Sequence, residues 1–450
     1  MKIFYDITDL INHSRFTHKV SGIQRVVLEG LKGSLDNVTP FFISPMTGKI
    51  YICENISIEQ LEDLKIFEHM WIESDLLDNN SIEFAKSYLG QYIKKSNRYT
   101  LLKKIFNKSL DIPIIKFISF IIFDYAVKLK WQPLRSKIVY SSLNNFPEKS
   151  TLEIFGGVWN FQLEYERIFN NLKSDIKKNF LIYDMIPVYS SFAPEPLREM
   201  FLKYIPFVLR HANNIIVNAA STKKDLERFA IEEGYILPKT IVIHLAHKLS
   251  EFPVSSKYIL PLRSKKLAFE KYILCVGSIE SRKNHINLLL MWKKFIDSEF
   301  YANEKLVIAG RWLWETELIQ QLLTYTGHLY GSVIVIDNPD DEELIYLYKN
   351  CRFTVYPSHY EGWGLPLGES LAYGKPCIHF DNSSLKEAGY GLTEVIEYPN
   401  YNAFYLKMLS LFKDDKVYEN ALEKIRGNKY LLRDWNHFAK DINNLIVHQE

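Results

Sequence analysis

The chain has 450 residues, 47% hydrophobic and 24% charged, with a formal net charge of +2. That is ordinary globular composition and enough length for two or more cores. It excludes a membrane-spanning protein, since no apolar run reaches the roughly 20 residues a spanning helix needs. It also excludes a disulfide framework or a zinc site: the four cysteines, Cys53, Cys275, Cys351 and Cys377, show no C-x-x-C spacing and read as buried thiols of a reducing compartment. Aromatic residues, at 14%, suit a protein that stacks sugar rings or one with a densely packed core.

Met1-Lys2-Ile3-Phe4-Tyr5-Asp6 leads straight into a strand over 2–7 with no charged and apolar leader, which points to the cytosol or the cytosolic face of a membrane. Ser21-Gly22-Ile23-Gln24-Arg25-Val26 opens a helix over 22–32. Strands are predicted over 39–43, 138–140, 180–183, 215–218 and 240–243, with a helix over 221–233. Between them, 91–140 carries eleven Lys or Arg against Asp111 and Asp124, an excess of +9, so the rest of the chain sums to −7. Its apolar run, 112–126, is interrupted by Pro113, Lys116 and Asp124 and is too broken to cross a bilayer. It reads either as an interfacial segment on anionic lipid or as an insertion with a solvated basic face. Nucleic acid is disfavoured, because the charge is local and no reader motif accompanies it. Pro253, Ser255, Ser256 and Pro261 mark a connection at about 250–270.

The last third alternates apolar runs with helical patterns, as a parallel sheet with crossover helices requires. Strands are predicted over 272–276, 306–309, 333–336, 353–356 and 377–380, and helices over 284–296, 314–325, 366–373 and 434–446. Asp340-x-x-Glu343 reads as a capping box for a helix to about Lys349.

The unit over 353–375 carries the chemistry. Parallel α/β sheets hold ligands at the carboxyl ends of their strands, and there the chain reads Glu361-Gly362-Trp363-Gly364-Leu365-Pro366-Leu367-Gly368-Glu369. The glycines allow close backbone approach or positive φ. Pro366 opens a helix whose free N–H groups favour an anion, and a diphosphate fits. Two carboxylates beside a diphosphate need another role, and vicinal hydroxyls, on a ribose and on a sugar, supply it. Gly277-Ser278-Ile279-Glu280-Ser281-Arg282-Lys283-Asn284 places Arg282 and Lys283 before another helix start, a second anion-favouring element.

The Glu-Gly-aromatic-Gly-Leu-Pro setting, with seven residues between Glu361 and Glu369, resembles the signature of the GT4 family of retaining glycosyltransferases. The resemblance covers about 270 to 446 well and the N-terminal half more loosely. It implies a GT-B fold of two Rossmann-like, doubly wound domains facing a central cleft. The expected division is an acceptor-binding domain at 1–260, with 91–140 as an insertion, a nucleotide-sugar domain at 261–430, and a helix at 431–450 crossing back. It implies that Glu369 binds the donor ribose and Glu361 the transferred sugar, while Gly364, Leu365 and Pro366 line sugar and phosphates. Gly277 and Lys283 match the family's phosphate loop. Arg282 or Arg311 would replace the arginine that some members carry where Ser278 stands here. Gly22 resembles the glycine-containing first loop facing the diphosphate. Tyr183-Asp184-Met185-Ile186-Pro187 resembles the family's His-Asp-x-x-Pro segment with Tyr183 in the histidine's place, leaving Asp184 as an acceptor contact. Asn218 falls at a position that faces the cleft in the family, whereas His211, His244 and His359 read as structural. No Asp-x-Asp occurs, which fits a metal-independent enzyme with cations in place of a divalent ion and no cofactor. The expected activity is retaining transfer from a nucleoside-diphosphate sugar to a glycan or lipid-linked glycan of a bacterial surface polysaccharide, O-antigen or capsule. The alternatives are a non-catalytic nucleotide-sugar-binding subunit and another GT-B enzyme such as a sugar-nucleotide epimerase.

Overall fold

The computed structural model describes residues 2–14, 20, 22–44, 48–62, 66, 67, 70, 140–248 and 259–447. The basic stretch 91–140 lies outside the described residues except at Tyr140, as do residues 250–258 of the expected connection. The chain forms two compact units. One comprises Met1–Val20, Asn37–Ser150 and Leu163–Ile176, and the other Ser21–Asp36, Thr151–Gln162 and Lys177–Glu450.

In the first unit, β1 (Ile3–Asp6) pairs in parallel with β2 (Thr39–Ile43). β2 then pairs antiparallel with β3 (Ile50–Cys53), and β3 antiparallel with β4 (Tyr140–Leu143). The antiparallel pairs depart from the all-parallel winding that a Rossmann-like domain implies. The cause is chain length: Ile43 to Ile50 is too short for a crossover, and the Ser44 and Gly48 amides close it as a turn. The strand expected over 138–140 instead runs from Tyr140 to Leu143. Phe146 packs edge-on against Phe4 and Phe41 to seal this unit's core.

The second unit holds four parallel strands in the order β5 (Thr151–Ile154), β6 (Lys177–Ile182), β7 (Asn214–Val217) and β8 (Lys239–Val242). Helices Glu195–His211 and Ala220–Glu232 follow β6 and β7. β5 escaped the sequence reading because Glu153 interrupts its apolar pattern. The register explains that residue: Glu153 faces Asn179, which faces Asn214, so three polar side chains link across three strands.

The same unit holds a separate sheet of six parallel strands. These are β9 (Tyr272–Val276), β10 (Lys305–Gly310), β11 (Val333–Asp337), β12 (Thr354–Tyr356), β13 (Cys377–Phe380) and β14 (Glu394–Ile396). Their order is β11-β10-β9-β12-β13-β14. Alternate residues of β9 serve two cores. Ile273 and Cys275 join Trp292, Phe295 and Phe353 on one face, while Tyr272, Leu274 and Val276 join Leu347 and Tyr348 on the other. Burial on both faces is why these strands read as continuous apolar runs.

Helix boundaries follow local chemistry. Asp340 accepts the Glu343 amide at 2.8 Å and caps helix Asp341–Asn350, while the Glu343 carboxylate is held by Arg263 and Ser264. The helix expected from residue 314 begins at Glu317, because Glu315 takes a φ of +55°. Helix Trp435–Val447 packs on helix Gly22–Ser34 so closely that a Cβ on Gly33 would lie 2.3 Å from that of Ala439. The Trp435 indole donates to the Lys248 carbonyl at 3.0 Å. All four cysteines are free and buried.

Candidate active site

Strand order locates the site. In the six-stranded sheet the chain steps outward from β9 through β10 to β11, then returns to the other side of β9 with β12. Loops after β9 and β12 therefore leave their strands in opposite directions, and the crevice between them is where open α/β sheets bind ligands. The two loops singled out by sequence, 277–284 and 357–364, are these two.

The first loop begins at Gly277, with φ +149°, where a Cβ would touch Lys283 and the Tyr356 hydroxyl. Gly310 on β10 has no room for one, because the Gly277 carbonyl oxygen lies 1.8 Å from its ideal Cβ position. A 3₁₀ turn, Ser281–Lys283, and a left-handed Asn284 then aim the two cations before helix His285–Ile296 begins.

Those cations grip the second loop. Lys283 Nζ donates to Glu361 Oε1 at 2.6 Å, and Arg282 Nη1 donates to Glu361 Oε2 at 2.9 Å and to the Tyr360 carbonyl at 2.5 Å. Arg282 Nη2 reaches Glu280 Oε1 at 2.5 Å. Burial alone would raise the Glu361 pKa, but Arg282 and Lys283 carry it down to about 2. Burial disfavours the Arg282 cation, yet Glu361 and Glu280 hold it charged and raise its pKa. The Glu361 backbone is pinned as well: its amide donates to Ser383 Oγ and its carbonyl accepts from Ser384 Oγ.

Gly362 brings Asp184 to the same place. A Cβ there would lie 2.7 Å from the Tyr183 carbonyl oxygen and 2.9 Å from Asp184 Oδ2, so only glycine permits this approach. Asp184 accepts the Ile186 amide at 3.0 Å, and burial pushes its carboxyl up to about 6 against the pull of Arg282. The Tyr183 hydroxyl points the other way and donates to the Phe155 carbonyl at 2.6 Å.

Gly364, with φ +91°, is the N-cap of helix Leu365–Ala372, and Pro366 is the second helical residue rather than the first. One turn in, Glu369 is buried and accepts the Tyr348 hydroxyl at 2.7 Å. Burial raises its pKa, while Arg25 and Tyr348 oppose the shift. Glu361 and Glu369 thus differ sharply: one is a carboxylate locked between two cations, the other a buried carboxyl held by a phenol.

The structure gathers Gly277, Arg282, Lys283, Glu361, Gly364, Leu365, Pro366 and Glu369 around these loops, with Asp184 against Gly362. Arg311 is exposed, and only its carbonyl joins the β9 loop, accepting the Ile279 amide at 2.8 Å. Gly22, with φ +45°, starts its helix with open space around it. Asn218 is buried and accepts the Thr222 hydroxyl at 3.3 Å. His244 bonds Tyr390 at 2.7 Å and leans on Trp363. Sequence reasoning singled out neither Tyr348, which donates to Glu369, nor Arg25, which donates to Asp341. Arg25 lies in the Ser21–Val26 helix start, where nothing local distinguishes it from a helix-surface cation. Among the described residues no group of three or more His, Cys, Asp or Glu is arranged to hold a metal ion. None of the helices described is long and apolar enough to cross a membrane.

Solved structures define the class. HepE of Anabaena, solved with UDP and glucose, aligns over 100% of both chains at TM-score 0.59 and 11% identity. Sucrose-phosphate synthase of Thermosynechococcus elongatus aligns over 75% of this chain and 79% of its own, at TM-score 0.51 and 17% identity. The fold is therefore GT-B, the one expected from sequence.

Sequence comparison adds a family match over part of the chain: residues 262–427 match the model of Glycosyl transferases group 1. O-antigen chain mannosyltransferase B of Escherichia coli is 32% identical over 190 residues, 42% of this chain and 49% of that protein. The serotype-specific mannosyltransferase WbdA of Escherichia coli is 24% identical over 220 residues, 46% of this chain and 26% of WbdA. The chain thus spans half or less of these relatives' length.

Proposed function

We propose that the chain is a retaining glycosyltransferase that moves a sugar from a nucleoside-diphosphate donor to a glycan or lipid-linked glycan in polysaccharide assembly such as that of O-antigen. One observation carries this reading: two cations and two differently tuned carboxylates converge at the topological switch point beside a helix start. Arg282, Lys283 and the N-terminus of helix Leu365–Ala372 stabilise the charge that develops on the diphosphate. Glu361 holds hydroxyls of the transferred sugar and Glu369 those of the ribose. Asp184 and the 1–260 region serve the acceptor, Gly22 faces the diphosphate, 261–430 binds the donor, and 431–450 crosses back to the 1–260 region. The names of the relatives favour mannose as the sugar.

In the transfer, the bond from the anomeric carbon to the diphosphate oxygen breaks. The acceptor oxygen bonds to that carbon on the same face, and its proton passes to the leaving phosphate oxygen. Cations thereby do the work a divalent ion does elsewhere, so no metal or other cofactor is needed. Contact of 91–140 with an anionic membrane surface on the cytoplasmic side fits a lipid-linked acceptor.

The test is a thermal-shift screen with nucleoside-diphosphate sugars, since donor binding raises apparent stability by mass action, followed by transfer assays on lipid-linked acceptors. Glu369→Ala is expected to abolish the shift and the transfer; intact binding and transfer in that variant would sink the reading. A second reading, a subunit that binds donor without turnover, draws on Tyr183, whose hydroxyl is committed to Phe155. Saturable donor binding with no transfer to any acceptor would favour it.

A further inference from the structure

The second unit contains a buried guanidinium that the proposed reaction leaves unused. Arg25 lies on helix Gly22–Ser34 and is 5% exposed. Its Nη2 donates to both carboxylate oxygens of Asp341, at 2.8 and 3.0 Å. Asp341 is the first residue of helix Asp341–Asn350, which also carries Tyr348. Arg25 Nη1 is buried and has no hydrogen-bond partner among the described residues. A buried, unpaired N–H on a cation is costly, and native structures rarely keep one without a ligand or function to explain it.

Its surroundings say what it would take. Arg25 is hydrogen-bonded to Asp341 and feels Glu369 and Glu29 electrostatically, whereas Arg282 is hydrogen-bonded to Glu361 and Glu280. The two guanidiniums are therefore held by different carboxylates. Glu369 is tied to the helix that carries Asp341 through Tyr348. Asp341 already offsets the Arg25 charge through both its oxygens, so the free N–H suits a neutral acceptor oxygen better than a share of the diphosphate. Asp341 anchors the guanidinium at Nη2 alone, and the planar group holds Nη1 at a set angle to that anchor, a geometry that a lysine does not reproduce.

We infer that Arg25 is a further donor-site residue, donating from Nη1 to an oxygen of the donor's nucleoside, its ribose or base, with Asp341 as the positioning residue that aims it. This rests on the reading of Glu369 as the ribose-binding carboxylate.

The experiment is calorimetric titration of the full chain with UDP, GDP and inorganic diphosphate, for wild type, Arg25→Gln, Arg25→Lys and Arg282→Met. Both Arg25 variants are expected to weaken the better nucleoside diphosphate at least tenfold and to leave inorganic diphosphate within twofold. Arg282→Met is expected to weaken both kinds of ligand. Equal weakening of both by the Arg25 variants, or no effect on either, overturns the inference. Wild type binding none of the three would instead sink the donor-site reading beneath it. Melting curves identify any variant that fails to fold, and if Arg25→Gln does so, Arg25→Lys decides.

Discussion

Glu153→Gln tests the electrostatics of the interior directly. Glu153 is fully buried on β5, its Oε1 accepting the Asn179 amide at 2.7 Å and its Oε2 unpartnered among the described residues. Burial, opposed only in part by the Asn179 hydrogen bond, pushes its pKa from 4.5 to about 8. Between those values the folded chain keeps a proton that the unfolded chain releases, so stability is full at low pH and falls as pH rises through the window. At about 1.4 kcal/mol per pH unit, less at the two ends of the window where titration is partial, roughly 3.5 kcal/mol is lost between pH 5 and 8. Glutamine preserves the carbonyl that Asn179 needs and does not titrate. The variant should match wild type near pH 4 and exceed it by about 4 kcal/mol at pH 8. Urea midpoints for both proteins at four pH values give the difference, in which all other titrating groups cancel. Parallel profiles for the two proteins would show that Glu153 is not held neutral, and would refute the argument.

Two further substitutions probe the site. Gly362→Ala places a methyl against the Tyr183 carbonyl and the Asp184 carboxylate. Transfer should fall at least tenfold while the overpacking costs about 1–3 kcal/mol, so a fully active variant would break the proposed coupling of Asp184 to the Glu361 loop. Lys283→Met removes one of two cations from buried Glu361. Stability should drop by about 3 kcal/mol, the low end for a broken buried pair because Arg282 remains, and donor affinity should fall with it. Denaturant titration and donor titration read the two effects separately.

Much of this was legible in the chain itself. β9 and β13 run over the residues their apolar runs predict, and the helix predicted over 366–373 is found at Leu365–Ala372, with Gly374 just beyond it at φ +70°. The Glu361–Glu369 segment could be read as a ligand loop because glycine, proline and acid stand within nine residues. Signals failed where a residue's reason lay elsewhere. Glu153 hid β5 because its partners, Asn179 and Asn214, are on other strands. The antiparallel β2–β3 pair hid behind an apolar pattern that says nothing about strand direction.

Amino-acid order by itself determined the local units, since strand, turn and helix preferences act within a few residues of each other. Tertiary structure alone decided the partners. Lys283 and Glu361 lie 78 residues apart, and Arg25 and Asp341 316 apart. What joins Lys283 to Glu361 is a strand order that returns β12 to the side of β9. That order is set by crossover packing of whole helices on the sheet, a sum over many buried contacts that no short window of sequence contains.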